Sequence, residues 1–141
     1  MNVLVALSLS GDSRTTAGIL LLSIVAVEYG GLVMLRIVRG RQPATEFQRS
    51  FARAGHAHAG VFVIFALVAQ ILADSAELGG ILNLVARGGI WVAAILFPAG
   101  FFLSSAGRGV TQANGFIVLL YAGVAALTAG VLALGFGLLT A

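Results

Sequence analysis

Four apolar stretches, at 16–35, 55–73, 81–103 and 115–139, constrain this chain more than any other feature. Each meets the roughly 20 residues that an α-helix needs to cross a hydrocarbon core of about 30 Å. Backbone N–H and C=O groups cannot stay unpaired in lipid, so segments of this length span it as helices. The alternating pattern of a membrane barrel is absent. With 60 % hydrophobic and 9 % charged residues in 141, little polar sequence is left for a soluble domain. The expected fold is an all-α integral membrane protein, one domain over 1–141, with four transmembrane helices in an up-down bundle.

Charge orients that bundle. The first connection carries Arg36, Arg39, Arg41, Arg49 and Arg53 against Glu46 alone, the second carries Asp74 and Glu77, and the third carries Arg108. By the positive-inside rule the first and third are cytoplasmic and both termini are outside. The net charge of +3 sits in loops and describes orientation, not a nucleic-acid surface. Pro43 interrupts the first connection. In 44–53, Phe47 and Phe51 stand four residues apart with Arg49 and Arg53 offset from them, the pattern of a short amphipathic helix or a basic loop at the inner surface. The apolar run at 3–9 is short and has no basic residue before it, so an amphipathic or disordered lead-in is expected there rather than a cleaved signal.

Small residues mark the packing faces. Gly123, Ala126, Gly130, Ala133 and Gly137 recur at three- and four-residue steps, with looser series through Ala86, Gly89, Ala93, Gly100 and Ser104 and through Gly55, Ala59, Ala66, Ala69 and Ala73. Such seams let backbones approach closely within a bundle or between copies. Pro98 should kink the third helix.

An ionisable group within the bilayer is costly unless it is paired or lines a cavity, so each one is a functional candidate. Glu28 lies eight residues before Arg36, roughly 12 Å from the helix end; His56 and His58 follow Arg53 by three and five, roughly 5 to 8 Å. Tyr29 and Tyr121 enter from the same side, so Glu28, Tyr29, His56, His58 and Tyr121 can form one inner cluster. Arg87 belongs to the outer half, with Asp74 and Glu77 as its natural partners and Gln70 and Asn83 nearby. It either snorkels outward to those acids or binds an anion or headgroup there. There is no cysteine, which removes disulfides, thiolate metal sites and cysteine nucleophiles.

His56 and His58 are the only histidines. Two residues apart on a helix means about 200° around its axis, so the rings cannot both chelate one ion from an undistorted helix; they face two different neighbours across the small-residue seam. The segment Gly55-His56-Ala57-His58-Ala59-Gly60 resembles the His-x-His segments of small bacterial membrane proteins related to haem-copper oxidase subunit I. That resemblance covers under a tenth of the chain and implies haem binding. The chain departs from the pattern in having no further histidine, so bis-His ligation within one subunit and a three-histidine copper site are both missing. A pentacoordinate haem, a tyrosine as unusual sixth ligand, or a dimer sharing histidines would be required.

Three functional classes follow. The first is an oligomeric bacterial inner-membrane protein that binds haem or a divalent transition metal through His56, His58 and Glu28, with Tyr121 beside them, for electron transfer or sensing. The second is a small proton- or cation-coupled transporter or channel using Glu28 and His58. A membrane glutamate in helix one resembles small multidrug-resistance transporters, although their surrounding motif is not found around Glu28-Tyr29-Gly30-Gly31. The third is a structural subunit of a larger membrane complex. At the inner interface the histidines could instead bond carbonyls or lipid headgroups. No nucleophile elbow, phosphate loop, dinucleotide fingerprint or zinc-protease motif occurs, and whether the chain is an enzyme stays open.

Overall fold

A computed structural model describes residues 9–141. The lead-in at 3–9 lies, except for Leu9, outside them. Four long helices make up the described chain: α1 Gly11–Val38, α2 Glu46–Ser75, α3 Gly80–Ser104 and α4 Val118–Thr140, the last preceded by a 3₁₀ turn at Gly115–Ile117. All four are long and apolar enough to cross a bilayer, which makes this a multi-pass helical membrane protein. Leu22, Val38, Ile81 and Leu139 are largely exposed on outward faces, as on a surface solvated by lipid.

Helix ends are set by local chemistry. Ser10 caps α1, its hydroxyl accepting from the Ser13 N–H at 3.2 Å. Thr45 and Gln48 form a capping box at the start of α2: the Gln48 N–H donates to Thr45 Oγ1 at 3.1 Å and the Thr45 N–H donates to Gln48 Oε1 at 3.2 Å. That box makes 46–53 the first turns of α2 itself. The amphipathic segment expected at 44–53 is therefore continuous with the span that follows it. Phe47 and Phe51 pack with ring centres 4.2 Å apart and planes tilted by 39°, and Phe51 meets Phe101 of α3 edge-on at 5.3 Å, which holds this extension against the bundle. Gln48 Nε2 also donates to the carbonyls of Ser105 and Gly107, at 3.0 and 2.8 Å, tying the start of α2 to the loop after α3.

The small-residue seams hold the helices together. A Cβ at Gly89 would stand 2.5 Å from the Ala126 carbonyl oxygen and 2.8 Å from the Gly130 Cα, while one at Gly100 would stand 2.6 Å from the Leu120 nitrogen. Backbones of α3 and α4 meet where only glycine fits. Ala66, Ala69 and Ala73 of α2 are fully buried in one core with Ala86 and Ile90 of α3. The helices follow one another as a row, and α1 is the loose member: along its backbone it lies beside α2 alone. Pro98 sits inside α3 without ending it, and the bond its nitrogen would donate to the Ala94 carbonyl is missing.

At the acidic end a polar clasp restrains α1. Arg87 of α3 donates to Asp74 Oδ1 at 2.6 Å, to Asn83 Oδ1 at 2.5 Å and to the fully buried hydroxyl of Ser13 in α1. The Ser10 N–H donates to Asp74 Oδ2 at 3.0 Å. Of the two acids expected beside Arg87, Asp74 pairs with it and Glu77 lies exposed in the turn with φ of 48°.

Candidate functional site

His56 occupies the gap between α1 and α2. Its ring is seated on Gly30 and Gly31: a Cβ at Gly30 would be 3.3 Å from His56 Nδ1, and one at Gly31 would be 3.5 Å from its Cε1. Two consecutive glycines weaken a helix, and here their missing side chains make room for an imidazole. Among the described residues neither ring nitrogen of His56 has a hydrogen-bond partner within the chain.

His58 faces the other way. Its Nδ1 lies 2.7 Å from the Ala54 carbonyl oxygen; a carbonyl only accepts, so Nδ1 carries the proton. The ring stacks on Phe97 with centres 5.4 Å apart and planes 7° from parallel, and it also meets Phe62 and Phe101 at 5.4 and 5.2 Å. The two histidines thus address two different helices of the bundle, α1 and α3, as side chains two residues apart on one helix must.

Glu28, Tyr29 and Tyr121 are on outward faces, the two tyrosines 62 % and 65 % exposed. One chain therefore does not bring His56, His58, Glu28 and Tyr121 together. Among the described residues no three histidine or acidic side chains come close enough to hold a metal ion. Arg87 and Asp74 belong to the clasp at the opposite end.

What His56 does border is a cleft. Because α1 leans on α2 and leaves α3 free, a cavity of about 420 Å³ opens sideways between α1 and α3, floored by α2. Its walls are apolar, from Leu20, Val27, Val63, Ile95, Pro98 and Phe102, with Thr16, Ser23, Trp91 and His56 as the polar points. Toward the arginine-rich end it adjoins a second cleft of about 390 Å³ bordered by Gln42, Gln48 and Ser105, and Gly30 and Phe102 form part of both walls. Ala94 and Pro98 also line the first cleft.

The volume is in the range of sites for cofactor-sized molecules, and an apolar lining with few polar points is their usual character. Sequence reasoning found His56 but missed its seat on Gly30 and Gly31 and the contributions of Ser23 and Trp91. A signal for the seat was there: the glycine pair lies five or six residues from Arg36, at nearly the depth of His56. Compared with known protein families, curated proteins and solved structures, the chain matches none of them.

Proposed function

We propose that this protein binds a membrane-soluble ligand in the cleft between α1, α2 and α3, with His56 as the polar side chain that engages it. The observation that carries the reading is an imidazole without a hydrogen-bond partner among the described residues, at one end of an apolar cleft of about 420 Å³ that opens toward lipid. Haem would be held through its iron by His56. A lipid-soluble carbonyl compound fits too, accepting a hydrogen bond from His56. Haem would offer its iron to the imidazole and a carbonyl compound its oxygen, each with an apolar ring or chain against the cleft walls. In this reading the arginine-rich loops face the cytoplasm of a bacterium, and His56 stands at the cytoplasmic end of the cleft.

The test is the composition of protein purified from membranes in mild detergent. An absorption spectrum with a Soret band identifies haem, and mass spectrometry of an organic extract identifies a stoichiometric lipid-soluble compound. His56→Ala should lower the co-purified ligand at least tenfold. His58→Phe, which keeps the aromatic stack, should leave it unchanged. A wild-type preparation with neither haem nor a stoichiometric organic ligand would overturn the proposal, as would equal ligand content in His56→Ala.

A further inference from the structure

Glu28 is the residue the cleft does not use. It lies about 12 Å of helix from Arg36, well inside the hydrocarbon, on the exposed face of α1. At about 100° per residue it points roughly 160° away from Gly30, which lines the cleft. Among the described residues nothing in its own chain hydrogen-bonds it. A carboxyl in that position is costly unless something outside the chain meets it at the same depth.

Copies of one membrane protein insert with the same orientation, so residues at equal depth can meet side by side. Tyr121 is the match. It lies about 9 Å from Gly115 at the same end of the bundle and is 65 % exposed. It also stands on the opposite side of α4 from buried Gly130, which packs on α3, so its hydroxyl points away from the bundle. α1 and α4 do not touch within a chain, so each keeps a free outer face.

We infer that copies of this chain assemble head to tail, α1 of one against α4 of the next, with the Tyr121 hydroxyl of one copy donating to the Glu28 carboxylate of its neighbour. The rest of the two faces agrees with that register. Bulky Leu21 and Val25 share the exposed face with Glu28, and small Ala125 and Ala129 are exposed on the Tyr121 side of α4. With the helices antiparallel, Val25 lies about 16 Å and Ala125 about 15 Å from the arginine-rich end, so large side chains oppose small ones at matching depth. The contact is heterologous, and its repetition closes a ring or extends a row.

The natural absence of cysteine makes the register directly testable by oxidative cross-linking in native membranes. A chain carrying both Val25→Cys and Ala125→Cys should give a ladder of disulfide-linked species beyond the dimer, whereas either single variant should stay monomeric on a non-reducing gel. Adding Tyr121→Phe, which removes one oxygen, should cut ladder yield about fivefold, the effect of one hydrogen bond. Circular dichroism and a single elution peak confirm that each variant is folded. Dimers from Val25→Cys alone would mean that α1 meets α1 and would overturn the inference. Absence of a ladder from the double variant, or a ladder indifferent to Tyr121→Phe, would also overturn it.

Discussion

Arg87 shows how one side chain can decide the geometry of a loose helix. Its guanidinium and the Asp74 carboxylate are only 17 % and 15 % exposed, and the Ser13 hydroxyl bonded to the same group is fully buried. Removing the cation leaves a carboxylate with most of its water gone and its main partner missing. Arg87→Met should therefore destabilise the protein by about 3 kcal/mol, and joining it to Asp74→Leu should recover part of the loss because no orphan charge remains. Thermal unfolding of the three variants in one detergent checks the order. The pairing of Arg87 with Asp74 was legible from their closeness to one end of the bundle. The contribution of Ser13 was not, because a hydroxyl two helices earlier in the chain carries no periodic signal. Likewise the two directions of His56 and His58 followed from helix geometry, but which helix each would meet depended on packing.

At the scale of elements, glycines with similar sequence surroundings have opposite meanings. A Cβ at Gly89 would lie 2.5 Å from a backbone carbonyl of α4, whereas one at Gly18 meets nothing within 4 Å. Gly89→Ala should cost about 2 kcal/mol by forcing α3 and α4 apart. Gly18→Ala should be stabilising by up to about 1 kcal/mol, since alanine only relieves backbone entropy there. Unfolding of the two variants in mixed micelles measures both signs. The seam through Gly123, Gly130 and Gly137 was readable because membrane helices use small residues where backbones touch, and each of these three is buried. The start of α2 was read too late in the chain. Hydropathy marks where a helix enters lipid, while the capping box at Thr45 and Gln48 marks where it begins, two turns earlier.

For the whole molecule, the consequential asymmetry is that α2, α3 and α4 form a tight core and α1 is attached along one side. Its restraint toward α3 comes from the clasp of Ser10, Ser13, Asp74 and Arg87 at the acidic end. Asp74→Asn weakens that clasp without touching the cleft. Spin labels at Thr15 and Leu82, both exposed near that end, should show a narrow distance distribution in the parent and a broader one, shifted to longer distance, in Asp74→Asn. An unchanged distribution would mean that apolar contact with α2 suffices to hold α1. Four spans and their order were evident from hydropathy alone. The cleft was not, because it arises from a contact that α1 fails to make, and apolar periodicity does not distinguish a face packed on protein from one facing a gap.

The sideways opening of that cleft changes the units in which its occupancy has to be counted. A molecule entering between α1 and α3 comes from the bilayer, so the controlling variable is its mole fraction among lipids, not its concentration in water. A ligand scarce in the aqueous phase can saturate the site once it has partitioned. Diluting the membrane with inert lipid would then empty the site as effectively as a chemical competitor would.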